Sequence, residues 1–87
     1  MMDIEDVLTG DRLIILKILH ESDDYVMMTH IKKKGEFEYP SIKRNLDILL
    51  EEGLIEKVEF GRIKQFKINT NDPRIPHLRS LFNIWKA

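Results

Sequence analysis

The sequence predicts an α+β fold, mostly α, with a three-helix core, a β-hairpin and a C-terminal helix in one domain over residues 1–87. Three observations carry that reading. Residues 39–53 form one amphipathic pattern with a defined start and stop. Two short strand-like segments, 54–59 and 63–68, then flank a turn at Phe60-Gly61-Arg62. A strong breaker, Asn69-Thr70-Asn71-Asp72-Pro73, separates them from a last apolar-rich segment.

Residues 3–9 allow one short helical turn, ended by Gly10. The first full helix runs from Asp11 to about His20 with Leu13, Ile14, Ile15, Leu16, Ile18 and Leu19 all apolar. A surface helix needs only one apolar stripe, so this one is expected to be covered on two sides. One side meets its own core and the other a partner subunit, to which Met1, Met2, Ile4, Val7 and Leu8 add. Glu21-Ser22-Asp23-Asp24 is a polar turn, and Tyr25-Val26 a brief strand. The second helix starts at Met28 or Thr29 and runs to Gly35, with Thr29 as its cap and Ile31 as its anchor. Gly35 to Tyr39 is the turn that follows, with Phe37 directed inward.

In the segment 39–53, Pro40 suits the first helical position and Gly53 the left-handed residue past the end. Ile42, Leu46, Leu49 and Leu50 share one face at helical spacing, while Arg44, Asp47 and Glu51 point away and Ser41 and Lys43 flank them. The strands alternate imperfectly. Ile55, Val58 and Phe60 do not share parity, so a bulge or register shift is allowed. Phe66 and Ile68 share parity with Lys64 and not with Ile63, so some apolar residue is left exposed or covered by the last helix. In that last helix, with Asp72 as a possible cap, Pro73 as a good first residue and Pro76 interrupting or delaying it, Leu78, Leu81, Phe82, Ile84 and Trp85 offer more apolar area than a small core hides.

The bulk properties narrow the function. A domain of 87 residues buries roughly 60–65% of its unfolded surface and gains from association. There is no cysteine, which removes disulfides, thiolate zinc sites and cysteine nucleophiles and fits an intracellular, cytoplasmic protein. No apolar run approaches the length of about 18 residues that a membrane span needs, and the acidic start is unlike a signal peptide. A composition rich in Ile, Lys and Glu is compatible with a thermophile and equally with an AT-rich genome. The net charge is −1 but unevenly spread: residues 1–24 carry −5, residues 25–50 carry +2, residues 51–68 balance and residues 69–87 carry +2. An acidic first third beside a mildly basic middle suits a protein that turns one face to phosphates.

A short helix, a turn, the 40–52 helix and a hairpin follow the order of a winged helix-turn-helix. In that fold the second helix enters the major groove with its N-terminal residues near base edges. Tyr39, Ser41, Lys43, Arg44 and Asp47 are the residues so placed, with arginine suited to guanine and aspartate to cytosine. The plain alternative is a solvated face on which Lys43 and Asp47 form an i,i+4 ion pair. Lys32, Lys33 and Lys34 either contact phosphate or simply complement the C-terminal end of their helix. Arg62 and Lys64 sit at the hairpin tip, near 60–64, where a wing reaches a minor groove or flanking phosphate. His20, His30 and His77 stand at no metal-ligand spacing, so no metal is expected. No phosphate loop or nucleophile–base pattern is present, and neither a cofactor nor an enzyme is expected.

The stretch Thr29-His-Ile-Lys-Lys-Lys-Gly35 through Ser41-Ile-Lys-Arg-Asn-Leu46, Leu49 and Glu52-Gly-Leu-Ile55 resembles winged helix-turn-helix transcription regulators of the ArsR/MarR-like kind, over residues 11–68. The resemblance implies a minimal member, of archaeal or archaeal-virus type, that binds double-stranded DNA as a homodimer through its first and last helices. Residues 1–20 and 74–87 would then also serve dimerisation, with Ile4, Leu8, Ile14, Ile18, Leu78, Leu81, Phe82 and Trp85 at the interface. Three departures stand out. The cysteine-rich metal-sensing motif is absent, the usual Ser or Thr cap of the recognition helix is replaced around Glu38-Tyr39-Pro40, and the long dimerisation helices of full MarR proteins do not fit. The other reading is a winged-helix protein–protein interaction module within a larger assembly, which the overall acidity favours.

Overall fold

In the computed structural model, which describes residues 10–22 and 24–84, four helices and three strands follow one another as α1 (Gly10–His20), β1 (Val26–Met27), α2 (Met28–Gly35), α3 (Tyr39–Glu51), β2 (Ile55–Phe60), β3 (Ile63–Ile68) and α4 (Ile75–Ile84). The turn expected over residues 3–9 lies outside the described residues. The chain order is that of a winged helix-turn-helix: α2 and α3 form the helix pair, and the β2–β3 hairpin is the wing.

Helix α1 is the hub, packing on α2, α3, β3 and α4. Its Ile15, Leu16, Ile18 and Leu19 are buried, and Ile14 stays partly exposed. Around them close Ile31 of α2, Ile42, Leu46 and Leu49 of α3, Phe66 and Ile68 of β3, and Ile75, Leu78 and Phe82 of α4. Such side chains contribute roughly 1.5–3 kcal/mol each when fully buried.

The helix ends show how local chemistry and packing divide the work. The cap of α2 is Met27, not Thr29, and no side chain bonds to the free amides; Thr29 already lies inside the first turn. At its other end the left-handed residue is Glu36, at φ +56°, rather than Gly35. The Phe37 amide donates to the Lys32 carbonyl at 2.9 Å and the Glu36 amide to the Lys33 carbonyl at 3.3 Å, closing the helix. Gly35 is needed for space: a Cβ there would overlap the Phe37 ring, which is buried against it. Helix α3 ends as its sequence suggests. Gly53, at φ +78°, donates to Leu50, and the Leu54 amide donates to Leu49 at 3.1 Å, with Leu54 fully buried behind the turn. Pro76 falls in the first turn of α4, where no intrahelical donor is required, so it does not interrupt the helix.

The sheet order is β1-β3-β2, all antiparallel. No bulge is needed, because β2 and β3 pair continuously from Ile55↔Ile68 to Phe60↔Ile63. Ile55, Phe66, Ile68 and Val26 face the core. Opposite parity leaves Phe60 and Ile63 exposed at the wing tip, and the last helix does not cover them. The two-residue loop has Gly61 at φ +60°, as a primed hairpin turn with glycine first requires.

Three residues expected at a subunit interface belong to the chain's own core instead. Ile18, Leu78 and Phe82 are 6%, 6% and 4% exposed, because α4 folds back onto α1 and turns its main apolar stripe inward. Ile14, Leu81 and Ile84 remain exposed. Ile4, Leu8 and Trp85 lie outside the described residues.

Candidate nucleic-acid interface

The core takes Ile42, Asn45, Leu46 and Leu49 from α3 and leaves Tyr39, Lys43, Arg44, Asp47 and Glu51 exposed. Asn45 escaped the reading of the sequence, since a polar residue among apolar ones gave no sign of burial. Its Nδ2 donates to the Ser41 carbonyl at 2.9 Å and lies 3.4 Å from Ser41 Oγ. Ser41 Oγ in turn donates to Asp11 Oδ2 on α1 at 3.4 Å. Ser41 is therefore half-buried and engaged with the scaffold, at the edge of the exposed face rather than its centre.

Between α3 and the wing is a small hollow of about 80 Å³, lined by Met28, Lys43, Leu46, Asp47, Lys57, Lys64 and Phe66. Lys57 was missed. The alternation in β2 could have placed it: Lys57 shares parity with buried Ile55 and stands opposite Phe66, so its ammonium emerges where the sheet meets α3. A broader depression of about 390 Å³ lies beside it, lined by Met27, Met28, Thr29, Tyr39, Arg62, Ile63 and Lys64. The start of α2, the start of α3 and the tip of the wing thus adjoin one another.

Ion pairs hold some of these charges. Lys43 Nζ lies 3.1 Å from Asp47 Oδ2, with both side chains about half exposed, a geometry worth roughly 0.3–0.5 kcal/mol and easily opened. Lys57 Nζ lies 2.9 Å from Glu59 Oε1. That hydrogen bond, followed by the charges of Lys57 and Lys64, holds the Glu59 carboxyl below its ordinary range. The triple lysine run does not act as one cluster. Lys34 Nζ is 3.8 Å from Glu21 and, with His30, lines the α1–β1 side. By the four-residue helical repeat, Lys32 follows Met28 toward α3 and the wing, and Lys33 follows exposed Thr29.

The far end of α3 is fastened by α4's leading turn. Arg74 Nη2 donates to the Glu52 carbonyl and to Asp72 Oδ2, both at 2.7 Å, while Arg74 Nε donates to Asp72 Oδ1 at 2.9 Å. Asp72 also accepts the Arg74 amide at 2.8 Å, so it caps the turn before α4. The Arg74 side chain is the main cause of an Asp72 carboxyl held below the usual range, and Asp72 raises Arg74 in return. On the opposite side, Arg79 Nη1 lies 3.1 Å from His20 Nδ1 and the His20 ring leans on Phe82. Among the described residues no group of three or more metal-ligating side chains gathers, and no helix is long and apolar enough to cross a membrane.

Neither a protein-family model nor a curated protein matches this chain. Two solved structures share its fold. HlyU from Vibrio cholerae superposes with a TM-score of 0.73 at 13% identity, over 93% of this chain and 82% of that one. A structure described as the predicted DNA-binding transcriptional regulator from E. coli superposes at 0.77 with 18% identity, over 94% of this chain and 85% of its own. At such identities the likeness is one of architecture. The chain has a winged-helix fold, mostly helical, with a small antiparallel sheet.

Proposed function

We propose that this protein is a transcription regulator that binds double-stranded DNA as a homodimer, with α3 in the major groove and the wing on the adjoining backbone. The observation that carries the reading is the juxtaposition around α3. Its exposed residues Tyr39, Lys43, Arg44 and Asp47 are bordered on one side by Lys57, Lys64 and Arg62 of the wing and by the start of α2. A helix exposed along one side, with cations flanking it, fits a groove whose walls are phosphate and whose floor carries base edges. The DNA-binding description of one structural neighbour points the same way. Lys32 and Lys33 extend the cationic border; Lys34, drawn toward Glu21, adds less. Ser41 serves chiefly to position α3. The dimer contact is assigned to the apolar residues that α1 and α4 leave exposed, Ile14, Leu81 and Ile84, with Ile4, Leu8 and Trp85 as further candidates from the sequence.

Arg44 is exposed and free of the Lys43–Asp47 pair, so it is the residue best suited to a bidentate base contact. Arg44→Ala is expected to weaken binding to a selected duplex by about 1–3 kcal/mol, roughly fivefold to 150-fold, while binding to random duplex changes little. Equal affinities of wild type and variant for the selected duplex would remove α3 from the recognition role.

A further inference from the structure

The large apolar side chains that the described residues leave exposed fall into two groups. Ile14, Leu81 and Ile84 are on α1 and α4, and Met27, Tyr39, Phe60 and Ile63 are on the wing side. Dimerisation gives the first group a role. The second has none in folding, since Phe60 is 66% and Ile63 48% exposed on a sheet face that no helix among the described residues covers. These two residues are the last pair of the hairpin ladder, directly opposite each other. The loop beyond them has only Gly61 and Arg62, so the free end of the wing is an apolar pair topped by a guanidinium. Ile63 and Arg62 also line one depression with Tyr39, which makes the wing tip continuous with the start of α3.

Charge selects what this surface meets. Arg62 and Lys64 border the apolar pair, and the acid next to Phe60, Glu59, is neutralised by Lys57 at 2.9 Å. A cation with two apolar flanks complements a duplex minor groove, whose walls are anionic phosphates and apolar sugars and whose base steps yield to apolar wedges. We infer that the wing tip enters the minor groove beside the α3 contact, Arg62 leading and the Phe60–Ile63 pair wedged against a base step, so that the protein kinks the DNA it binds. This rests on the DNA-binding reading above.

The test uses end-labelled duplexes of about 30 base pairs, recovered by the wild-type chain from a random pool, with the bend read by energy transfer between the ends. Wild type is expected to bend them by roughly 20–90°. The double variant Phe60→Ser, Ile63→Ser, which changes only exposed side chains and should melt like wild type, is expected to bind about tenfold more weakly and to leave the duplex straight. An unchanged bend and affinity in the variant would overturn the wedge while leaving DNA binding by α3 in place. An unchanged bend with an altered sedimentation of the free chain would overturn it too, and would make the strip a contact between copies. Recovery of no duplex by the wild type would overturn both readings.

Discussion

Arg74 serves three acceptors at once, and each tells it where to be. Two are the oxygens of Asp72 and the third is the Glu52 carbonyl at the end of α3, so one side chain joins α3 to the turn that starts α4. Because the Asp72 side chain is only 12% exposed, losing its charge leaves a partly shielded guanidinium with only the more distant Glu52 carboxylate, at 3.8 Å, as its ionic partner. Asp72→Asn is expected to cost about 1–2 kcal/mol at neutral pH, the lower part of the range for charged hydrogen bonds, since Arg74 is 36% exposed. The sign with pH follows from the lowered carboxyl. A depressed folded-state value gives stability that is present above the unfolded value of about 3.9 and is lost as pH falls through the folded one. The gap between wild type and variant in urea unfolding should therefore close as the pH drops below about 4; a gap that stays constant into acid would remove Asp72 from this role. None of this could be read from residues 69–74, which show a breaker and a possible cap but not the distant carbonyl that Arg74 meets.

At the scale of elements, helix limits were legible wherever the chain's own covalent chemistry sets them. Pro40 lies in the first turn of α3, one residue later than its sequence suggests because Tyr39 is first, and Gly53 closes the helix, since fixed φ and a missing Cβ act locally. Limits set by neighbours were not. Glu36 takes the left-handed position because Phe37 must turn back onto Gly35, a tertiary demand with no local signature. Gly35→Ala should cost about 1–3 kcal/mol, as overpacking does; a thermal midpoint equal to wild type would show that Phe37 shifts freely. The apolar surplus of α1 and α4 was also visible, but the sequence could not assign its two sides. Packing of α4 on α1 consumes Ile18, Leu78 and Phe82 and leaves Ile14, Leu81 and Ile84 outward. The variant Leu81→Glu, Ile84→Glu should then leave monomer unfolding within about 0.5 kcal/mol of wild type while dissociating the proposed dimer in sedimentation. A variant that still sediments as a dimer would place the interface elsewhere.

For the whole molecule, polarity is the organising property. Apolar residues left over by the core fall on two sides, Ile14, Leu81 and Ile84 on α1 and α4 and Met27, Tyr39, Phe60 and Ile63 beside the wing. Cations gather only on the second, around α3 and the wing, although the net charge of the chain is only −1. The winged-helix order was legible because each element has its own period and its own punctuation. The placement of Lys57 and the burial of Asn45 were not, since both depend on which face of a strand or helix meets another element. Two α3 helices in a homodimer would enter successive major grooves about 34 Å apart, so selected duplexes should carry an inverted repeat with that spacing. The most direct test of the account is the affinity of wild type for such a duplex, followed by fluorescence anisotropy from about 50 to about 200 mM salt, with random duplex as competitor. Wild type is expected to form a saturable complex of two chains per duplex that survives competition and weakens at least about a hundredfold across that range, because phosphate contacts release counterions. A complex indifferent to salt, or none at all, would contradict it and turn the search toward a protein partner for the same surface.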